Sequence, residues 1–199
     1  LQSRRTRLIA LLAILLMLGS TLALPALGLL PGKTEPPAEN GVLDLEIGVL
    51  RGDRAVRLSG EWSFDWERQL NGNAFGDDRA TSDTLAEVPG EWTQYGLPGR
   101  GEATYRLKVL AREDIGSLGL QIPAIAPAYK IYENGRLIAE AGALSTDEGG
   151  AHAAYKPQTV VFTPSSAAFE LTIRASNAIY PHGGSGSFRL LCSSCTAST

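Results

Sequence analysis

The feature that most constrains the fold is a spacing of two between apolar side chains, which persists from about residue 42 to residue 190. Between 61 and 66, three aromatic residues alternate with three polar ones, as in a strand with one buried and one wet face. Such strands predict two sheets packed face to face, and no window has the spacing of an amphipathic helix. The same alternation recurs at 104–109, 118–122 and 169–174, with a shorter apolar run at 159–162.

Residues 129–139 predict a β-hairpin, because Asn134-Gly135 divides two arms rich in β-forming residues and suits a two-residue type I′ turn. That turn sets the register of the two strands. The expected cross-strand pairs are Glu133 with Arg136, Tyr132 with Leu137, and Ile131 with Ile138.

The first 30 residues predict one hydrophobic helix that engages a membrane, since arginines at 4, 5 and 7 precede an uncharged run over 8–30. Two interpretations stay open. The segment is either a signal peptide cleaved after Ala23 or a retained signal anchor that spans the membrane. Both place the remaining chain at the periplasmic or extracellular face of the cell membrane. Residues 31–41 contain two consecutive prolines and are expected to be a linker.

Charge and cysteine content exclude several classes of protein. The net charge is −3, and it is more negative without the leader arginines, so we expect no nucleic-acid partner. The two cysteines, Cys192 and Cys195, are too close together to cross-link the fold. Their spacing suits a redox motif or half a zinc site, but neither context is present. We interpret 191–199 as an atypical tail and predict no metal and no cofactor.

Four short motifs stand in an order that resembles a galactose-binding-like jelly roll. This resemblance implies an all-β jelly-roll β-sandwich of the kind found in sugar-binding domains of glycoside hydrolases and in bacterial sensors. The motifs are GEWSF at 60–64, VPGEW at 88–92, ATYRL at 103–107 and YENG at 132–135.

Four further motifs are similar to the N-terminal extracellular domain of bacterial seven-transmembrane receptors with diverse intracellular signalling modules. The resemblance covers about residues 42–190 and implies a sensory domain outside the membrane that binds a small ligand, such as a carbohydrate. Family members continue into a membrane bundle, whereas this sequence stops at Thr199, so we expect a chain truncated before its transmembrane and output modules. The motifs are IAPAY at 125–129, YKPQ at 155–158, ASN at 175–177 and HGG at 182–184.

Two aromatic residues in a loop, Trp92 and Tyr95, either close the end of the sandwich or face a ligand. Polar partners for that ligand come from other loops if those loops converge with this one. The alternatives are an asparagine that satisfies turn backbone and an arginine that is simply solvated. The candidate polar partners are Arg100, Asn177, Tyr180 and His182.

No constellation of nucleophile, base and stabiliser is recognisable, so we predict that the chain is not an enzyme. The histidines are His152 and His182, and the serine-containing turn at 183–187 lacks the final glycine of a nucleophile elbow. The function predicted is therefore a ligand-binding sensory domain in bacterial signal transduction. The alternatives are a sugar-binding accessory domain of a glycoside hydrolase and a structural module that binds no ligand and mediates self-association.

Overall fold

The computed structural model describes residues 4, 7, 9, 11–14, 17, 35–45, 55–66, 84–111, 116–123, 125, 128–144, 152–154 and 156–192. The chain forms two compact units, Leu1–Thr34 and Glu35–Thr199. The described residues of the first unit are helical and exposed, in accord with a helix before the β-domain. Among the residues described, none of the helical segments has the length and apolar character to cross a membrane. The cleavage site, residues 31–34 and residues 193–199 of the expected tail lie outside the described residues. The first two residues of that tail, 191 and 192, instead belong to a strand, Phe188–Cys192.

The second unit is an all-β sandwich, as the alternating sequence predicts. In its described part it contains thirteen strands: β1 Val42–Leu45, β2 Ala55–Leu58, β3 Gly60–Trp66, β4 Leu85–Val88, β5 Gly90–Glu91, β6 Gly101–Ala111, β7 Leu118–Ile122, β8 Ala128–Glu133, β9 Arg136–Ala141, β10 Gln158–Phe162, β11 Ala168–Asn177, β12 Gly184–Ser185 and β13 Phe188–Cys192.

Two sheets form the layers of the sandwich. The large sheet has the order β4-β3-β6-β11-β8-β9, with β1 added in parallel alongside β6. The small sheet has the order β10-β7-β13-β2, and all its neighbouring strands are antiparallel. Strands β5 and β12 form a separate two-stranded ribbon that joins two loops.

Aromatic contacts fill the core between the sheets. The Trp62 ring stacks on that of Phe188 with centroids 6.0 Å apart, and Phe162 meets Phe169 edge-on at 6.0 Å. Each pair joins one strand of the large sheet to one of the small sheet. Large-to-small substitutions at such sites cost several kcal/mol, so these contacts stabilise the closed sandwich.

The start of the sandwich lies before residue 42. Ala38 is buried, its N–H donates to the carbonyl of Ser59 (2.7 Å), and its carbonyl accepts from the N–H of Glu61 (2.9 Å). Gly60 has a positive φ, and a Cβ there would overlap the backbone of Ala38. Part of the segment expected to be a linker is therefore hydrogen-bonded to β3.

The hairpin prediction is confirmed at its turn and wrong at its third pair. Asn134 and Gly135 both have positive φ, as a type I′ turn requires. The pairs next to the turn are as predicted, but Ile131 lies opposite Ala139 because a bulge shifts the register between Ile131 and Tyr132. A bulge inserts one extra residue, which turn-based counting cannot foresee.

The outer face of the large sheet is less solvated than the alternation predicts. Asp65 and Arg106 lie on the polar side of β3 and β6, yet both are buried, and their side chains form an ion pair at 3.6 Å. Thr104 and Thr172 on the same face are also buried. The expectation of a wet side is therefore wrong for these positions, where partners replace water.

Candidate functional site

Trp92 closes one end of the sandwich. It begins a short 3₁₀ helix, Trp92–Tyr95, directly after β5, and its side chain has 0% exposure. The indole N–H donates to the carbonyl of Pro98 (2.8 Å), and the ring meets Trp66 edge-on at 5.2 Å. This placement matches the packed plug that the sequence left as the alternative to ligand contact.

The loop between β11 and β13 packs directly onto this plug. The backbone N–H of Trp92 donates to the carbonyl of Gly183 (2.9 Å). A Cβ on Gly183 would overlap the indole, and a Cβ on Gly99 would overlap the carbonyl of Pro181. The two loops therefore approach each other at glycines because no side chain fits between them.

Asn177 ties the two loops together. Its Nδ2 donates to the carbonyls of Gly99 (2.9 Å), Tyr180 (3.1 Å) and His182 (3.0 Å). Its Oδ1 accepts from the N–H groups of Ile179 (3.3 Å) and Tyr180 (2.9 Å). With 1% exposure, the amide satisfies loop backbone, which is the alternative that the sequence left open for it.

Convergence of the loops brings three of the predicted site residues together at the surface. Arg100 follows Gly99, and Tyr180 and His182 flank Pro181, against which Gly99 packs. All three side chains are exposed, with Tyr180 at 44%. They are named here the loop-end surface.

An acidic residue lies at the edge of the loop-end surface. The Nδ1 of His182 is 3.3 Å from a carboxylate oxygen of Glu91, and the hydroxyl of Thr93 donates to the same oxygen (3.1 Å). Both members of the His–Glu pair are largely exposed. Water screens such a pair, so it contributes little to stability.

Tyr95 ends the short 3₁₀ helix that begins at Trp92, but its side chain contacts the large sheet. Its hydroxyl accepts from the N–H of Glu87 (2.8 Å), and its ring lies 6.3 Å from that of Phe64. The ring is still 45% exposed. Tyr95, one of the predicted ligand-binding residues, is thus packed against β3 and β4.

A buried tyrosine supports the ribbon beneath these loops. Burial raises the pKa of Tyr105 far above its usual range, against the opposing effect of a hydrogen bond with Ser185. The hydroxyl of Ser185 also accepts from the N–H of Gly90 (3.2 Å). Tyr105 therefore stays neutral and acts as a structural hydrogen-bonding group.

A groove that no sequence pattern indicated lies at the end of the small sheet. It has a volume of about 580 Å³ and lies where β7 ends and β10 and β13 begin. Gln121 appears in the sequence only as the polar member of the alternation at 118–122, and Arg189 lies outside the strands predicted from the sequence. Their convergence depends on strand order, which no local pattern reveals. The polar residues that line it are Gln121, Gln158, Thr159, Ser187 and Arg189.

The part of the chain that the structure describes contains no cluster of three or more potential metal ligands. No family model matches the chain, and no curated protein matches it.

Solved structures provide the comparison. The GH2 β-galacturonidase from Eisenbergiella tayi bound to galacturonate is 19% identical at a TM-score of 0.50, over 69% of this chain and 24% of that one. A β-glucuronidase from an uncultured Clostridium sp. is 16% identical at a TM-score of 0.51, over 69% and 28%. The Ruminococcus gnavus β-glucuronidase in complex with uronic deoxynojirimycin is 11% identical at a TM-score of 0.51, over 76% and 30%.

The chain shares a β-sandwich fold with part of these glycosidases. It spans less than a third of their length. The all-β sandwich agrees with the fold class expected from the sequence, whereas the relations to galactose-binding-like domains and to seven-transmembrane receptors stay predictions.

Proposed function

We propose that this chain is a non-catalytic, exported domain that binds a small saccharide-like ligand at the loop-end surface. The observation that carries the proposal is the clamp of Asn177, which fixes two loops against each other and on which Arg100, Tyr180 and His182 are all exposed. An aromatic ring beside hydrogen-bonding groups suits a sugar, which has an apolar ring face and a polar edge. Because the loops are already tied down, binding there costs little ordering entropy.

We infer further that the domain is the sensory part of a bacterial membrane signalling protein. The motifs at 175–177 and 182–184 support this role, and they coincide with the clamp and with the loop that it holds. The arginines and apolar run at the N-terminus support export. A ligand that prefers one arrangement of these loops would shift the population of receptor states.

A second candidate, an accessory domain of a glycoside hydrolase, is favoured by the fold comparison. The solved glycosidases contain this type of sandwich next to a much larger remainder. Such a domain would also bind sugars without catalysis. Both candidates therefore share the binding experiment, and the adjoining coding sequence distinguishes them.

The test is a thermal melt of the full 199-residue chain, in a sugar-free detergent, against neutral mono- and oligosaccharides. Binding to the folded state raises the midpoint in a concentration-dependent way. Tyr180→Ala should remove this shift, because it deletes the exposed ring but keeps the two backbone groups that Asn177 binds.

Ile179→Ala is the matched control, since it removes a neighbouring exposed apolar side chain. The control should retain the shift. A melt unmoved by the whole panel, or a shift that Tyr180→Ala leaves intact, would overturn the proposed site.

A further inference from the structure

The exposed face of the small sheet carries one continuous row of polar side chains. In the strand registers, Thr159 lies opposite Gln121, Gln121 opposite Arg189, and Arg189 opposite Arg57. All four side chains are exposed. The row crosses β10, β7, β13 and β2 and is named here the arginine row.

Two arginines are directly opposed in this row. Residues facing each other on antiparallel strands have Cβ atoms about 5 Å apart, and side chains of like charge in such a pair are unfavourable. The carboxylate of Glu35 accepts the backbone N–H of Arg57 at 3.0 Å. Within the described residues, however, no carboxylate forms an ion pair with the guanidinium of Arg57 or Arg189. In the described part of the chain, the two opposed arginines therefore concentrate positive charge that an anion would neutralise.

Three residues of this row, Thr159, Gln121 and Arg189, line the groove of about 580 Å³. Arg57 lies opposite Arg189 and continues the row beyond that lining.

One wall of the groove is fixed, because Gln158 Nε2 donates to the hydroxyl of Tyr129 (2.9 Å) and to the carbonyl of Glu140 (3.2 Å). The Tyr129 hydroxyl in turn donates to the carbonyl of Lys156 (3.0 Å). The volume is in the range of small-molecule sites, and the wall needs no ordering on binding.

We propose that this groove binds an acidic saccharide. The carboxylate lies across Arg189 and Arg57, and Gln121 and Thr159 bind ring hydroxyls. Guanidinium groups match carboxylates in charge and planar geometry. Gln121 and Thr159 are neutral and can both donate and accept hydrogen bonds, as sugar hydroxyls do. A simple carboxylate ligand would leave these two side chains without partners. The inference stands apart from the loop-end surface, which involves other residues.

Isothermal titration of the full chain, in a sugar-free detergent, tests this site with trigalacturonate as the probe. Its fully methyl-esterified form has the same rings without the charge, and acetate supplies the charge without the rings. We expect trigalacturonate to bind, the ester to bind at least about tenfold more weakly, and acetate to compete poorly. Arg189→Gln and Arg57→Gln should each weaken trigalacturonate by about tenfold.

Lys108→Gln is the matched control, because it removes one exposed positive charge from β6 of the other sheet. It should leave the affinity for trigalacturonate unchanged. Absence of binding, or equal binding of the ester, would overturn the proposal. If acetate competes as well as the trisaccharide, the groove recognises a carboxylate and not a saccharide, and the proposal is wrong. Loss in Tyr180→Ala would move the binding to the loop-end surface and overturn the second site.

Discussion

A single amide ties two loops of the sandwich together. Asn177 is buried and makes five hydrogen bonds to backbone groups of the two loops. Its sequence context, a polar residue at a strand end, predicted either a ligand contact or a turn-stabilising role. The burial and the backbone partners of Asn177 agree with the second role.

We predict that Asn177→Ala destabilises the domain by about 2–4 kcal/mol, because several part-buried backbone carbonyls and N–H groups lose their partner. Urea unfolding followed by tryptophan fluorescence measures this change. Gln94→Ala is the control, since it removes an exposed amide from the neighbouring loop. Equal stability of the two variants would show that the clamp contributes nothing.

Glycine at position 183 is required by the close approach to Trp92. We predict that Gly183→Ala costs about 1–3 kcal/mol or more, because the new methyl group overlaps the indole and forces the loop away. Gly119→Ala is a demanding control: a Cβ there meets only ordinary contacts at 3.8 Å, so we expect a change within about 0.5 kcal/mol. Chemical denaturation of both variants distinguishes overlap from a general effect of replacing glycine. Equal destabilisation would contradict the overlap.

Among the strands, the hairpin of β8 and β9 shows what local sequence can and cannot specify. The dipeptide Asn134-Gly135 predicted the turn because few residues adopt positive φ. The sequence did not predict the side-chain role of Asn134, whose Oδ1 accepts the N–H of Glu170 (2.8 Å) and whose Nδ2 donates to Ser165 (2.6 Å). These partners are more than 30 residues away, so only the assembled sheet brings them together.

Glu133 at the end of β8 joins the hairpin to the loop before β11. Burial by itself raises the pKa of this carboxyl. Hydrogen bonds from the backbone and hydroxyl of Ser165 and from Arg136 outweigh it and hold the pKa below its ordinary value of 4.5. A lowered pKa in the folded state means stabilisation that is present above 4.5 and lost as the pH falls through the folded pKa.

We therefore predict that Glu133→Gln lowers the free energy of unfolding at pH 7 by about 1–3 kcal/mol, because a charge-assisted set of bonds is lost. The deficit should shrink as the pH falls below 4.5, since the wild-type carboxyl then becomes neutral too. Urea unfolding midpoints of the wild type and of Glu133→Gln, measured between pH 7 and pH 3, test whether the two stabilities converge. Glu140→Gln, at an exposed position of the same hairpin, should show no such deficit. A deficit that stays constant with pH would contradict the role of the charge.

For the molecule as a whole, the sequence predicted the class of fold and not the position of its surfaces. A period of two in apolar residues is sufficient to specify one-sided strands and hence a sandwich. Which strands become neighbours depends on contacts between distant segments, such as Trp62 with Phe188. For that reason the loop residues could be named from composition, whereas the pairing of Arg57 with Arg189 could not.

The opposition of Arg57 and Arg189 leads to a prediction about the stability of the protein as well as about binding. If Arg57 and Arg189 repel each other, Arg57→Gln should raise the free energy of unfolding of the unliganded protein by about 0.2–1 kcal/mol at low ionic strength. Salt screens exposed charges with a Debye length of about 10 Å at 0.1 M, so the difference from wild type should fade as salt is added. Urea unfolding in a sodium chloride series measures it.

Lys108→Gln removes the same charge from the other sheet and controls for the net charge of the chain. The stability of Lys108→Gln relative to wild type should not show the same dependence on salt as that of Arg57→Gln. If Arg57→Gln instead destabilises the protein at all salt concentrations, the arginine is a structural residue. We expect Arg57→Gln to gain stability and to lose trigalacturonate binding. That combination is typical of a binding residue that destabilises the protein when no ligand is bound.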